Sequence, residues 1–416
     1  MKFSAIPTAL FIRNRAKLIE LMDSGSVALV GSSSSKIRNA DQHYPYRQHS
    51  DFFYLTGINQ QASMLFLSVD REKGKPTEIL FLKKPTSKTR LWTGPGLTLK
   101  QARDLSGIEE VRWLEELDST LGKLVPHRAV FYTSGDIPLS RISEQYPDLH
   151  LSSLGELMVR LRRVKEPEEL EAIKAACNIT RSAFFKVLSM IRPGIWEYEI
   201  EAEIIAEFIR MGSSGHAYEP IVASGKNALI LHYVENKDRC RDGDLVLMDF
   251  GAEVNNYASD CSRTIPVNGR FSPRQKQIYN AVLRVFRQAR EMMVPGVLMA
   301  DFHRQVGELF REEHIQLGLY SNKEASLRSG EEPLWKEFYM HGTSHSMGLD
   351  VHDPCDRSLP FESGMVLTCE PAIYIRKEGV GIRLENDILV TDQGAVDLMG
   401  DFPIEAEEIE ELIQSN

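Results

Sequence analysis

The chain has 416 residues, of which 42% are apolar and 26% charged, and its formal net charge is −10. This length predicts two or three domains, and the composition is that of a globular protein. The acidic balance excludes a nucleic-acid surface, because phosphate binding needs clustered Lys and Arg. No run of about eighteen apolar residues predicts a membrane span, so we expect neither a nucleic acid nor a membrane as partner.

The five cysteines are dispersed and contain no C-x-x-C pair: Cys177, Cys240, Cys261, Cys355 and Cys369. This pattern predicts reduced thiols rather than a disulfide framework. The N-terminus lacks the apolar core and cleavage site of a secretory signal. We therefore expect a cytoplasmic location.

Residues 1–155 alternate short apolar runs with helical patterns. Period and β-branched content predict strands over 27–31, 63–69, 78–82 and 129–132, and helices over 8–23, 98–106 and 137–146. This alternation predicts an α/β domain with a mixed sheet. The segment 38–57 is dense in aromatic and charged residues, which favours equally a functional or interface loop and a loop packed under its own domain.

A second domain is predicted to begin near Pro167. A proline in the first turn of a helix, followed by acids, is typical of a helix start. The sequence therefore predicts an N-terminal domain over 1–155, a linker or helix over 156–166, and a catalytic domain over 167–416.

The second domain contains an apparent duplication. Pro193-Gly194 and Pro295-Gly296 each precede a helical pattern. The run from Gly243 to Asp249 and the run from Gly364 to Glu370 both place an acid six positions after a glycine. A second acid follows in each half, Asp260 and Glu385. Two copies that each supply two acids are expected to meet at a pseudo-twofold axis.

The candidate site residues are Asp249, Asp260, His345, Glu370 and Glu385. Carboxylates in apolar strands need a compensating charge, and two divalent ions would balance four of them. Oxygen-rich ligation with one nitrogen favours manganese, cobalt, iron or zinc. Two such ions sharing a water would supply a hydroxide for hydrolysis. His341 and His345 are not a zincin pair, because Gly342 replaces the required glutamate.

Three further residues accompany the acids. Arg383 shares strand parity with Glu385, so both are expected to face the metals. His232 interrupts an apolar run ahead of the first acid pair, much as His352 precedes Glu370. The matching placement in both repeats favours a functional role over a core histidine.

These motifs together resemble the dinuclear metallopeptidases of the pita-bread fold. The N-terminal run Asp41-Gln-His-Tyr-Pro-Tyr-Arg-Gln-His-Ser-Asp-Phe-Phe-Tyr-Leu-Thr-Gly57 resembles the extra domain of the Xaa-Pro aminopeptidases, also called aminopeptidase P. The resemblance covers nearly the whole chain. It implies an α/β N-terminal domain followed by a pita-bread domain with an internal pseudo-twofold repeat.

The resemblance also implies a role for each residue. Asp249 and Asp260 would bind one metal, His345 and Glu370 the other, with Asp260 and Glu385 bridging. Glu370 would act as general base, and His232 would contact the scissile carbonyl. His352 would bond the substrate backbone or carry a proton, His341 and Val351 would shape the proline pocket, and Arg383 with Tyr374 would form a proton relay.

The implied reaction is hydrolysis of an N-terminal Xaa-Pro bond by a hydroxide bridging two divalent metals, most simply Mn²⁺, with Co²⁺, Zn²⁺ or Fe²⁺ as alternatives. The substrates would be peptides with proline second, and the protein a homodimer or homotetramer. Alternatives are a prolidase-type dipeptidase, a metal-free relative such as creatinase or a binding module, and a methionine aminopeptidase, which would not need residues 1–155.

Overall fold

The computed structural model describes residues 5–71, 74–137, 139–328 and 332–415. The chain divides into two compact units, Ala5–Arg162 and the part from Arg163 onward. This division falls inside the predicted linker or helix over 156–166, most of which is the helix Gly155–Arg162. Among the helices of the described residues, none is long and apolar enough to cross a membrane.

The N-terminal unit is an α/β domain with a six-stranded mixed sheet in the order β6-β5-β4-β1-β7-β8. Its strands are β1 Ser26–Gly31, β2 Ile37–Asn39, β3 Gln42–His43, β4 Ser63–Val69, β5 Thr77–Leu82, β6 Glu110–Trp113, β7 Val130–Ser134 and β8 His150–Ser153. Its helices are α1 Thr8–Leu21, α2 Ser50–Thr56, α3 Ser87–Thr93, α4 Leu99–Ser106, α5 Leu117–Leu124, α6 Leu139–Gln145 and α7 Gly155–Arg162.

The apolar runs form the strands because both faces of the sheet are covered. Every residue of β1 is buried, and the strand pairs antiparallel with β4 and parallel with β7. A strand buried on both faces reads as a continuous apolar run rather than an alternating one. The predicted mixed sheet is confirmed; the predicted helix over 137–146 includes residue 138, which lies outside the described residues.

The segment 38–57 is exposed in its first part and packed in its last part. Its first part forms the exposed hairpin β2–β3. Its last part forms α2, in which every residue is buried. Asp51 on α2 forms a buried ion pair with Arg162, 2.8 Å between Oδ1 and Nη1, so part of this segment packs under its own domain.

The C-terminal unit contains two similar halves built from helices and short strands. Its helices are α8 Pro167–Met190, α9 Glu197–Arg210, α10 Pro273–Glu291, α11 Met299–Gln316, α12 Asn322–Leu327 and α13 Ala406–Gln414. Its strands are β9 Ile221–Ser224, β10 Leu245–Asp249, β11 Glu253–Val254, β12 Tyr257–Ala258, β13 Ser262–Pro266, β14 Val366–Cys369, β15 Ala372–Ile375, β16 Val380–Arg383, β17 Asn386–Thr391 and β18 Gly394–Asp397.

The duplication appears as the same strand pattern in each half. In the first, β10 pairs antiparallel with β13, and the short hairpin β11–β12 lies between them in sequence. In the second, β14 pairs antiparallel with β17, and the hairpin β15–β16 lies between them. Helices α8 and α10 begin with Pro at the first position, and the core is continuous from α8 to α13. Each half therefore brings one strand end and one hairpin exit to the same region.

Candidate metal centre

A cavity of about 600 Å³ lies where the two halves of the C-terminal unit meet. Both repeats contribute to its wall, since Asp249 and Asp260 come from the first and Glu370 and Glu385 from the second. With one exception, the predicted site residues line it: His232, Asp249, Asp260, His341, His345, Val351, His352, Glu370, Arg383 and Glu385. Tyr374 lies behind this wall and reaches Arg383 and His341 by hydrogen bonds.

Strand ends determine where the four acids lie. Asp249 is the last residue of β10, and its partner across the sheet is Ser262, two residues after Asp260. Glu370 follows the last residue of β14, and Glu385 precedes the first residue of β17, with Cys369 paired to Asn386. Antiparallel pairing thus places both acids of each half at one end of its sheet.

Three of the predicted ligands are close enough to share one ion. The ligand atoms of Asp260, His345 and Glu385 all lie within 4.8 Å of one another. The Nε2 atom of His345 is 3.4 Å from Oδ2 of Asp260 and 4.0 Å from Oε1 of Glu370. Asp249 joins the group through Tyr218, whose hydroxyl lies 2.6 Å from Oδ1 of Asp249 and 2.5 Å from Oδ1 of Asp260.

The protein supplies little positive charge to this group of acids. Burial, reinforced by the charge of Asp260, raises the pKa of Glu385 well above its usual range. Burial also raises the pKa of Glu370 to about 7 and raises that of Asp249, against which the charge of Arg383 acts. Burial alone would lower the pKa of His345, but its contacts with Asp260 and Glu370 raise it to about 9.

The position of His345 is fixed by hydrogen bonds. Its Nδ1 atom lies 3.1 Å from the carbonyl oxygen of Ser346, which can only accept a hydrogen bond. Nδ1 therefore carries a proton in this contact, and Nε2 faces the acids, so it is the nitrogen that a cation would bind after displacing its proton. The backbone N–H of His345 donates to Oγ1 of Thr368 on β14 at 3.1 Å, which fixes the ring against the strand that leads to Glu370.

Arg383 links the acids to the aromatic side of the cavity. Its Nη2 donates to Asp249 at 2.5 Å and its Nη1 to the Tyr374 hydroxyl at 2.9 Å. Its Nε donates to Oγ of Ser262 at 2.7 Å, and that hydroxyl donates to Oε2 of Glu385 at 2.6 Å. One guanidinium therefore orients ligands from both repeats.

The histidines occupy different depths of the cavity. His341 is largely buried, and burial lowers its pKa to about 3. Its Nδ1 donates to the carbonyl of Gly342 at 2.8 Å, so Nε2, 3.0 Å from the Tyr374 hydroxyl, is the acceptor. His232 and His352 are exposed to the cavity, and the ring of His352 packs 4.1 Å from that of His345.

Four residues of the site were not identified from the sequence: Tyr218, Ser262, Arg357 and Asp387. Ser262 is two residues after Asp260, so strand alternation indicated that both side chains face the same side of the sheet. Asp387 accepts a hydrogen bond from the backbone N–H of Asp260 at 3.1 Å, with burial raising its pKa well above the usual range. No periodicity in the sequence indicates Tyr218 or Arg357, which reach the cavity from loops.

The residues present fit divalent cations. Four carboxylates and one imidazole converge on one region, where Arg383 pairs with Asp249 and His345 contacts Asp260. Hard oxygen donors with one imidazole suit manganese, cobalt, iron or zinc. Neither Cys261 nor Cys369 competes as a ligand, because both thiols are buried and burial raises their pKa values.

Comparison with known proteins agrees with this chemistry. Residues 171–392 match the sequence profile of metallopeptidase family M24, and residues 11–132 match that of the aminopeptidase P N-terminal domain. A Xaa-Pro aminopeptidase from Escherichia coli is 34% identical, with 97% of each chain covered. Among solved structures, proline aminopeptidase P II from Yersinia pestis has a TM-score of 0.90 at 30% identity, covering 98% of this chain and 100% of that one. Zinc-substituted E. coli aminopeptidase P in complex with product has a TM-score of 0.91 at 33% identity, covering 99% of both chains.

The chain therefore belongs to metallopeptidase family M24. Its two domains occur in the order found in Xaa-Pro aminopeptidases, which confirms the family and the pita-bread fold predicted from the motifs. It is a divalent-metal-dependent enzyme, a metallo-aminopeptidase.

Proposed function

We propose that this protein hydrolyses the peptide bond between an N-terminal residue and a following proline. The observation that carries the proposal is the convergence of four carboxylates and His345 on one cavity from two repeats. The relatives named above as Xaa-Pro aminopeptidases, matched over nearly the full chain, support the substrate class. A dipeptidase of the prolidase type is the alternative that the proposal has to exclude.

Two divalent ions, most simply Mn²⁺, would be held by the five residues named from the sequence: Asp249, Asp260, His345, Glu370 and Glu385. When bound, these ions supply the acidity that makes a water nucleophilic near neutral pH. The shortage of positive charge around the acids supports the binding of more than one cation.

Glu370 is the proposed general base. It lies at the cavity wall, with Oε1 4.0 Å from Nε2 of His345 and Oε2 3.4 Å from Nδ1 of His341, where it can accept a proton from a water in the cavity. Glu385 is fixed instead by the Ser262 hydroxyl, which suits a ligand rather than a proton carrier.

Substrate contacts are proposed for the exposed side of the cavity. His232 would donate to the scissile carbonyl and its developing oxyanion, and His352 would bond the substrate backbone. The proline ring needs an apolar slot, for which His341 and Val351 are proposed, and Leu231 and Val234 line the same cavity.

The departing proline nitrogen requires a proton, because an unprotonated amide anion is too basic to leave when the C–N bond breaks. We assign its delivery to the relay of Arg383 and Tyr374, which are joined by a hydrogen bond of 2.9 Å. Burial raises the pKa of Tyr374 to about 12, so its hydroxyl keeps a proton that it can donate. The acids of the site would also attract the free ammonium of the substrate.

Two finer proposals concern the whole protein. A homodimer or homotetramer is supported by Leu91 and Trp92, which are 83% and 76% exposed. A cytoplasmic location is supported by the free thiols, four of them buried, which suit a reducing compartment.

The proposal is tested with metal-depleted protein and three matched peptides, Xaa-Pro-Xaa, Xaa-Ala-Xaa and the dipeptide Xaa-Pro. We expect Mn²⁺ to restore release of the first residue from Xaa-Pro-Xaa, measured by mass spectrometry of the products, and little release from Xaa-Ala-Xaa. Cleavage of the dipeptide alone would assign the protein to the prolidase type. Full activity in protein shown by elemental analysis to be free of metal would contradict the proposal altogether.

A further inference from the structure

A buried ion pair lies beside the cavity and takes no part in the proposed reaction. The Nζ atom of Lys165 is 3.0 Å from Oδ2 of Asp353, and both side chains are 1% exposed. These residues are 188 positions apart in the sequence. Burying two charges costs several kcal/mol each, so such a pair contributes little to stability compared with apolar residues of similar volume. Its presence calls for another role.

Asp353 closes the loop Ser346–Asp353. Its Oδ1 accepts a hydrogen bond from the backbone N–H of Asp350 at 3.0 Å. Its own backbone N–H donates to the carbonyl of Ser346 at 2.8 Å, and the N–H of Gly348 donates to the carbonyl of Asp350 at 3.0 Å. One carboxylate therefore holds the turn with one oxygen and Lys165 with the other.

The backbone of the loop packs directly on the ion pair at Gly348. A Cβ added there would lie 2.8 Å from Cε of Lys165 and 2.9 Å from Oδ2 of Asp353. The carbonyl of Gly348 accepts a hydrogen bond from the N–H of Ala258 at 2.9 Å, which attaches the loop to the strand β12 ahead of Asp260. The loop is thus held from two sides.

Lys165 is itself anchored to fixed elements. Its backbone N–H donates to the carbonyl of Gly364 at 2.8 Å. The next residue, Glu166, is the N-cap of α8, and its N–H donates to the carboxylate of Glu169 at 2.8 Å. Glu169 also accepts a hydrogen bond from the buried hydroxyl of Tyr257 at 3.0 Å. The ammonium group therefore projects from a rigid helix start.

The loop carries His352, one residue before Asp353. The His352 ring packs on His345 but makes no hydrogen bond to the part of the chain that the structure describes. Its position therefore depends on the backbone that Asp353 fixes. We infer that Lys165 is a positioning residue for His352, acting through Asp353; this rests on the proposed role of His352 in binding the substrate.

A double-mutant cycle separates positioning from general stabilisation. The variants are Lys165→Met, His352→Ala and the double variant, each assayed for kcat and KM on Xaa-Pro-Xaa at saturating Mn²⁺ with metal content checked. Because small misplacements of substrate-contacting groups cost up to about 10²-fold in rate, we expect Lys165→Met to lower kcat/KM at least about tenfold. In the His352→Ala background the same change should cost less than about twofold. Equal losses in both backgrounds would overturn the inference.

Hydrogen exchange gives a readout that does not depend on turnover. In Lys165→Met we expect faster exchange confined to peptides covering 346–353, whereas Lys174→Met, at an exposed position of α8, should leave that region unchanged. Unchanged exchange over 346–353 in Lys165→Met refutes the positioning of the loop. Wild-type kinetics in His352→Ala would instead refute the role given to His352 in the proposed function.

A second variant, which removes the other charge of the pair, keeps the test decisive if Lys165→Met does not fold. Asp353→Asn retains an oxygen for the N–H of Asp350 but loses the charge that faces Lys165. We expect Asp353→Asn to lower kcat/KM at least about tenfold in the wild-type background, as Lys165→Met does, and by less than about twofold in the His352→Ala background. A loss that persists beside His352→Ala would exclude action through His352.

Discussion

Among single residues, Glu370 is the one on which the proposed reaction depends most. Its carboxylate is largely buried next to two histidines, and burial, to which the charges of Asp260 and Asp249 add, raises its pKa to about 7. A general base in this position typically contributes about 10²–10⁴ in rate. Glu370 also belongs to the proposed metal ligands, so the variant that tests its role as a base should keep a side chain of the same shape, as glutamine does.

We expect Glu370→Gln to lower kcat by at least about 10²-fold while leaving the fold and most of the bound metal in place. The measurements are steady-state kinetics on Xaa-Pro-Xaa, elemental analysis and circular dichroism. Glu378→Gln is the matched control, because Glu378 pairs with Arg274 at the surface. If Glu370→Gln keeps a tenth or more of the wild-type rate, Glu370 is not the base.

Ser262 is the residue through which Arg383 and Glu385 are held together. Removing the hydroxyl leaves one oxygen of Glu385 without its donor, and loss of such a supporting contact typically weakens metal binding about 10–100-fold. We expect Ser262→Ala to show that loss in a chelator-competition titration with Mn²⁺. Ser262→Thr retains a hydroxyl and should bind nearly as the wild type does; equal affinity in all three proteins would show that the contact is dispensable.

At the scale of elements, helix α11 contains a charge-sensitive position in its last turn. His314 is fully buried against Phe310 and Phe338, and its Nδ1 contacts the Tyr320 hydroxyl at 3.1 Å. Its Nε2 has no partner among the described residues, and burial lowers its pKa to about 3. The helix therefore packs correctly only while this imidazole is neutral.

The sign of the pH dependence follows from that pKa. An unfolded chain protonates this histidine near pH 6.5, whereas the folded chain does not until about pH 3. Acid thus favours unfolding across this window, by about 2 kcal/mol at pH 5. We expect the free energy of unfolding, measured in urea, to fall between pH 7 and pH 5 by about 2 kcal/mol less in His314→Gln than in the wild type. The same substitution at the exposed His43 should leave the loss unchanged, and an unchanged loss in His314→Gln would contradict the account.

The repeated hairpins explain why the site needs both halves. In each half, antiparallel pairing brings the second acid back beside the first. Asp249 pairs with Ser262, two residues after Asp260, and Cys369, next to Glu370, pairs with Asn386, next to Glu385. A metal ligand set built from two strand ends and two hairpin exits is rigid, because each backbone is fixed by sheet pairing. His232 and His352, the loop residues proposed to bind the substrate, line the same cavity.

At the scale of the whole molecule, the metal centre couples folding to cation binding. A ligand that binds only the folded state stabilises it by about 2.7 kcal/mol at one hundred times its Kd. The five proposed ligands lie in the unit that begins at Arg163. We therefore expect Mn²⁺ to raise the unfolding temperature of that unit and a chelator to lower it, measured by calorimetry.

The N-terminal unit provides the internal control for this prediction, since none of the proposed ligands belongs to Ala5–Arg162. Its unfolding transition, where it is resolved, should not respond to Mn²⁺. A triple substitution of Asp260, His345 and Glu385 by Asn, Ala and Gln should abolish the thermal shift. A shift that survives this substitution would place the cation elsewhere.

Much of this architecture followed from local sequence. Apolar runs with β-branched residues predicted the strands of the mixed sheet, and Pro167 with the acids behind it predicted the start of α8. The spacing of glycine and acid predicted the two halves. These features are set by residues close together in the sequence, because backbone preferences and the apolar pattern of a strand or helix extend over only a few positions.

The sequence by itself determined the proposed donor set and the repeat that supplies it, because acids in buried strands carry a free-energy cost that few partners can offset. Only the tertiary structure revealed Tyr218 between two acids, Ser262 between Arg383 and Glu385, and Lys165 against Asp353. These contacts join residues that are between 31 and 188 positions apart or lie in loops without periodicity. Their pairing depends on how the two halves close on each other, which no local pattern specifies.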